Sequence, residues 1–336
     1  MRLRTSRLEL PGHERLRHGR GFRYRTARGG PLSSADLERI RALAIPPAWR
    51  DVWICPWANG HVQATGVDDA GRRQYLYHPE FRRQQELAKH EHVREVSTTL
   101  PDVRDQVARD LQGRGLSRER VLGGLVRLLD HGYFRIGSPA SARAHEAYGL
   151  TTLLRSHVRC VAGELRFTYP GKSGVERCWR LPDPDAFRVV RALRRRPGDD
   201  PALFAYWRTR SWHTVEAGEL NEHLRELSGA DLTAKDFRTW HATVLAAVGL
   251  AVAVRSADAG DAARRRAEAQ VVRDVSRYLG NTPAVCRASY INPRLFELYA
   301  QGRTIAADLD ALGADTTRGT PATQGPIEES VRALLA

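Results

Sequence analysis

The chain has 336 residues, enough for two domains, and its 42% apolar content gives each a core, which excludes a disordered tail. Lys and Arg number 53 against 39 Asp and Glu, and the resulting formal charge of +14, nearly all of it arginine, points to a polyanionic partner. Cys55, Cys160, Cys178 and Cys286 form no C-x-x-C pair, and no run of about 18 apolar residues is present, so zinc ribbons, disulfide frameworks, secretion and membrane insertion are not expected.

After a basic N-terminal arm, residues 22–25 fit a strand, and Ser34 is placed to cap a helix with the apolar stripe Leu37, Ile40 and Leu43, ended by Pro46 and Pro47. Segments 52–55, 62–66 and 73–77 are rich in aromatic and β-branched residues. Ala58-Asn59-Gly60 and Asp69-Ala70-Gly71 separate them with turn chemistry, so a small antiparallel sheet is expected. A charged helix follows over 79–96, with a domain boundary near residue 90. Beyond it the pattern is mainly helical, over 102–113, 118–130, 184–195, 218–227, 233–254 and 261–279.

One β island interrupts these helices: 158–161, 165–169 and 175–180 alternate as strands and place Lys172 at a hairpin tip. Past Leu312 a Gly/Thr/Pro-rich linker leads to a short amphipathic helix over 327–335. The expected organisation is therefore α+β: a β-rich domain over 1–90, a mainly helical domain over 91–312, and a linker with a terminal helix over 313–336.

Pro170-Gly171-Lys172-Ser173 shares Gly-Lys-Ser with phosphate-cradling loops. Such a loop needs glycine at position 166, where this chain has Arg166, and its lysine opens a helix instead of joining two strands. No nucleotide site is expected. His90-Glu91-His92 fails as a metal pair because alternate helical residues face different sides; a solvated helical surface is expected, and no metal.

Four local contexts carry the strongest signal. In chain order they are Tyr133-Phe134-Arg135-Ile136-Gly137, Pro170-Gly171-Lys172-Ser173-Gly174, Lys235-Asp236-Phe237-Arg238-Thr239-Trp240, and Leu279-Gly280-Asn281-Thr282-Pro283 leading to Tyr290. Together they resemble the catalytic set of type IB DNA topoisomerases of the compact bacterial and poxvirus-like kind. The resemblance extends into the N-terminal domain through Ile45-Pro46-Pro47-Ala48-Trp49, Gly60-His61-Val62-Gln63-Ala64-Thr65-Gly66 and Gly71-Arg72-Arg73-Gln74-Tyr75-Leu76-Tyr77. It covers roughly residues 20–300.

The resemblance implies a clamp of two domains around double-stranded DNA, with Tyr290 attacking a backbone phosphorus to give a 3′-phosphotyrosyl link. Arg135 and Arg238 would hold the non-bridging oxygens, and Lys172 would protonate the departing 5′-oxygen, a role lysine fills when nearby arginines depress its pKa. Asn281 stands where the family often has histidine, so it is assigned a hydrogen bond to phosphate and not a proton transfer. Gln74, Tyr75 and Tyr77 match groove-facing residues, and Lys235 a phosphate contact; Gln74 suits bidentate reading of adenine. The expected protein is a cytoplasmic monomer using neither cofactor nor metal nor ATP. Ser138-Pro139-Ala140-Ser141 departs from the poxvirus pattern near the cleavage site, so no target sequence is carried over.

A tyrosine recombinase shares this chemistry but has His-x-x-Arg where Lys235 precedes Arg238, and a helical N-terminal domain. A non-catalytic architectural DNA-binding protein explains the charge but not the ordered set.

Overall fold

Two units account for the residues that the computed structural model describes, 1–256, 260–311 and 321–336: Met1–Lys89 and His90–Ala336. In the first, β1 (His13–His18), β2 (Gly21–Arg25), β3 (Arg50–Ile54), β4 (Val62–Val67) and β5 (Arg73–Tyr77) form an antiparallel sheet of order β2-β1-β3-β4-β5. Helix α1 (Ser34–Ala42) contributes Ile40 to a core with Ile45, Ile54 and Ala64. Its cap is Ser33, not the expected Ser34: the Ser33 hydroxyl accepts from the Asp36 N–H at 3.1 Å.

Two of the N-terminal motifs meet physically. Trp49 packs on Gly66, where a Cβ would lie 2.7 Å from the indole. Gln63 is buried and donates to the carbonyls of Trp57, Ala58 and Gly60, at 3.2, 3.1 and 2.7 Å, while Arg39 donates to its Oε1 at 2.9 Å. One amide thus satisfies a loop that would otherwise bury unpaired carbonyls.

Helix α2 (Pro79–Val96) leads into the second unit. There α3 (Leu100–Leu111), α4 (Arg118–Gly132) and α5 (Pro139–His145) precede a three-stranded sheet of β6 (Val158–Val161), β7 (Glu164–Pro170) and β8 (Glu176–Leu181). Next come α6 (Pro184–Arg194), the hairpin of β9 (Ala205–Arg208) and β10 (Ser211–Thr214), and α7 (Ala217–Ser228). The unit continues with α8 (Ala234–Ser256), α9 (Asp261–Leu279), α10 (Pro283–Ser289), α11 (Arg294–Ala300) and α12 (Pro326–Leu335).

Two sequence expectations change, at His90 and at the β9–β10 hairpin. His90 is 4% exposed and not on a solvated surface; Val93 and Val96 share its helix face and draw that end of α2 into the core. Residues Ala234–Val254 of α8 are apolar and long enough to cross a membrane, but 67% of that stretch is buried within the protein, as befits the central helix of a helical unit. The β9–β10 hairpin was not expected, because Thr209 and Arg210 take positive φ, 49° and 61°, without the glycine or asparagine that announces such turns.

The terminal helix packs within the second unit instead of standing apart; the 313–320 part of the expected linker lies outside the described residues. Glu328 of α12, 2% exposed, accepts from Arg104 at 2.5 and 2.9 Å and from the Trp240 indole at 2.8 Å. The other face of Arg104 holds Asp130 of α4 at 2.9 and 3.0 Å, and Gln324 donates to the same carboxylate at 2.9 Å. Burial alone would raise the Asp130 carboxyl, but the Arg104 charge and a hydrogen bond with His241 hold it well below the usual carboxylate range.

Removing one partner from such a network leaves a buried charge unpaired. Glu328→Ala should therefore destabilise the chain by about 3–5 kcal/mol, measured by urea unfolding with Trp fluorescence. A loss below about 1 kcal/mol, the range of an exposed pair, would show that the terminal helix is only loosely attached.

Candidate active site

Helix α9 stops at Leu279 because Gly280 turns into the left-handed region at φ 62°. The N–H groups of Gly280 and Asn281 donate back to the carbonyls of Arg277 and Ser276, at 3.2 and 3.1 Å. The next three carbonyls, at the negative end of the helix, are left to side chains. Three arginines from separate segments supply the donors. Arg177 of β8 reaches Tyr278 O at 3.0 Å, Arg238 of α8 reaches Leu279 O at 2.9 Å, and Arg135 reaches Gly280 O at 3.1 Å.

Arg135 is placed by a second left-handed turn. Tyr133 caps α4 at φ 54°, a conformation uncommon for a bulky residue. Edge contacts of its ring with Trp179 and His241, at centroid distances of 5.4 and 5.5 Å, hold it there. Its carbonyl accepts from Arg238 Nη1. The Arg135 carbonyl in turn accepts from the Leu150 N–H at 2.7 Å, which pins the backbone on which the guanidinium stands.

Both guanidiniums then converge on Asn281, whose Oδ1 accepts from Arg135 Nη2 at 2.5 Å and from Arg238 Nη2 at 3.1 Å. Two cationic donors on one oxygen decide the amide orientation. The N–H₂ group is left to donate.

Tyr290 follows α10, with its N–H on Cys286 O at 3.0 Å and its carbonyl accepting from the Thr243 hydroxyl at 3.3 Å. Arg238 lies 5.3 Å from the centre of its ring. Burial alone would raise the phenol, but the Arg238 charge and hydrogen bond, the Arg135 charge and the Asn281 hydrogen bond together hold it below its ordinary value. Burial, then the like charge of Arg135, push the Arg238 guanidinium down to about 10, still charged at neutral pH. Arg238 is 4% exposed, and its buried Nε has no hydrogen-bond partner among the described residues.

Lys172 is exposed at the tip of the β7–β8 hairpin and lines one pocket with Arg135, Arg177 and Arg238. Arg135, Lys172, Arg238, Asn281 and Tyr290 thus fall within one region of the second unit. Lys235 is exposed in the first turn of α8, less than one turn before Arg238, and has no hydrogen-bonded link to this cluster among the described residues.

In the first unit, Tyr75 is 39% exposed and stacks on Tyr77 at 5.9 Å, and neither belongs to the core. Gln74 alternates to the face that carries Leu76, and its amide donates to Asp68 at 2.8 Å. It therefore does not share a face with the two tyrosines.

Arg177 is the residue that sequence reasoning missed. Its signal was faint: in β8 it alternates with Trp179 on the half-buried face, a costly place for a charge without a partner.

Family models match both units of the chain. Residues 78–307 match the family model of the eukaryotic DNA topoisomerase I catalytic core, and residues 21–68 match that of the bacterial DNA topoisomerase IB N-terminal domain. The chain is similar to DNA topoisomerase 1B of Acanthamoeba polyphaga mimivirus, with 27% identity over 80% of this chain and 81% of the relative. It is also similar to DNA topoisomerase 1 beta of Arabidopsis thaliana, with 23% identity over 52% of this chain but only 18% of that longer relative. A catalytic-core match spanning the unit that holds the arginine cluster, joined to a type IB match in the sheet unit, means that the chain belongs to the type IB DNA topoisomerases.

Proposed function

We propose that the chain relaxes supercoiled duplex DNA by cutting one strand, letting it rotate and resealing it, with Tyr290 as nucleophile. The observation that carries this reading is the shared Asn281 oxygen. It brings two guanidiniums and an amide donor around one acidified phenol. In the forward step the Tyr290 oxygen bonds to phosphorus, the bond from phosphorus to the 5′-oxygen breaks, and the phenol proton leaves to solvent.

Charge builds on the non-bridging oxygens in the transition state, where Arg135, Arg238 and the Asn281 N–H₂ are the donors. Lys172 protonates the departing 5′-oxygen; in resealing, the 5′-hydroxyl returns that proton and attacks the phosphotyrosine. The tyrosyl ester conserves the phosphodiester bond energy, so the cycle needs no ATP, and the permanent arginine charges take the part that a metal ion would otherwise have. All five residues come from one chain, so the reading needs no second copy. Tyr75, Tyr77 and Lys235, all reachable by a polyanion, are assigned to DNA contact; Gln74 joins them only by releasing Asp68.

Incubation with supercoiled plasmid in EDTA without nucleotide should produce a ladder of relaxed topoisomers, and Tyr290→Phe should produce none while still binding DNA. Rescue only by Mg²⁺, or a covalent adduct in the mutant, would overturn the mechanism. The division of labour is tested with a 5′-bridging sulfur, whose thiolate leaves without protonation. In single-turnover cleavage, Arg238→Ala should lose roughly 10²–10³-fold on either substrate, whereas Lys172→Ala should recover most of its loss on sulfur. Equal recovery in both would refute Lys172 as the dedicated proton donor.

A further inference from the structure

Lys172 stands on a hairpin, and its partners in the proposed reaction stand on the turn after α9. The Asn281 turn is held by Arg135 and Arg238, which both donate to it. The hairpin tip has fewer constraints: Gly171 N–H donates to Val175 O at 2.8 Å and Gly174 N–H to Gly171 O at 3.2 Å, both within the hairpin itself. Those bonds shape the loop; from outside it the Tyr148 N–H donates to Pro170 O at 2.9 Å, at the end of β7 and not at the tip.

Arg177 supplies the link. Its stem lies against Gly171, the residue before Lys172, where a Cβ would come 2.8 Å from Arg177 Cγ. Its guanidinium lies against Gly280, the residue before Asn281, where a Cβ would overlap Nη1. Nη2 donates to Tyr278 O at 3.0 Å. One side chain is therefore clasped between two glycines, each the immediate neighbour of a residue assigned to the chemistry. Any side chain at either glycine would displace it.

We propose that Arg177 is a positioning residue that docks the Lys172 hairpin onto the Asn281 turn, so that the proton donor and the arginine pair address the same phosphate. The fork matters as well as the charge. A guanidinium donates to Tyr278 O with Nη2 while Nη1 lies against Gly280; an ammonium offers the charge from a single nitrogen. Because its stem and its guanidinium are packed against the glycines that precede Lys172 and Asn281, Arg177 is assigned to hold Lys172 in place. This inference rests on the proposed general-acid role of Lys172.

The test is single-turnover cleavage of 5′-oxygen and 5′-bridging-sulfur DNA by wild type, Lys172→Ala, Arg177→Ala and Arg177→Lys. With Lys172 misplaced, Arg177→Ala should lose at least about 10-fold on the oxygen substrate, a modest share of a general acid's effect, and recover most of it on sulfur. Arg177→Lys, which keeps a donor for Tyr278 O, should show the same selectivity with a smaller loss and guards against an unfolded Ala variant. Absence of sulfur recovery in Lys172→Ala overturns the general-acid reading and this inference with it. Recovery in Lys172→Ala but none in either Arg177 variant, or full oxygen-substrate activity in Arg177→Ala, overturns the role of Arg177 alone.

Discussion

The C-terminus of α9 organises the site. A helix ends with carbonyls that have no intrahelical partner and with a partial negative charge. Here Tyr278, Leu279 and Gly280 present those carbonyls in succession, and Arg177, Arg238 and Arg135 answer them one each. Three like charges would repel one another in the half-buried interior of a protein. The helix end and the Asn281 oxygen offset that repulsion, so that the guanidiniums gather without a carboxylate to neutralise them. A carboxylate in that position would bind the arginines more strongly and cancel the field they direct at Tyr290.

The rest of the second unit braces this arrangement. Arg238 sits on α8 two residues before Trp240, and Arg135 follows α4 five residues after Asp130. Trp240 and Asp130 are tied through Glu328 and Arg104, so the buried network of the terminal helix connects the two helices that deliver the arginines. His241 bridges more closely: it contacts the Asp130 carboxylate at 3.3 Å, and its ring supports the strained Tyr133 turn. Thr243, also on α8, holds the Tyr290 carbonyl. Pairing of this kind contributes less to stability than to fixing one arrangement of the parts.

Much of this was legible in the sequence, for reasons that differ by residue. Strands β3 to β5 of the first unit were announced by glycine-bearing turns and alternation, and α8 and α9 by their length, whereas β1 was read as part of a basic arm. The four positions proposed to act on the phosphate could be named only as an ordered set with their neighbours, since an isolated arginine or tyrosine carries no such information. The two seven-residue helices around Tyr290, α10 and α11, are too short to show a periodicity, and the β9–β10 turn lacks its usual residues. Arg177 and the partnership of Arg104 with Glu328, 224 positions apart, depend on tertiary contact that no local pattern encodes. The burial of His90 was misjudged because its charged neighbours conceal the Val93–Val96 face.

The central claim is that Arg238, Arg135 and Asn281 direct their charge and hydrogen bonds at the Tyr290 phenol before any DNA is bound. An absorbance titration of DNA-free protein, taken as the difference between wild type and Tyr290→Phe, isolates that one hydroxyl. The account predicts ionisation below the ordinary phenol value of about 10, and a rise when Arg238 is replaced by alanine. Titration of the wild-type phenol at or above the ordinary value, unmoved by Arg238→Ala, would contradict it.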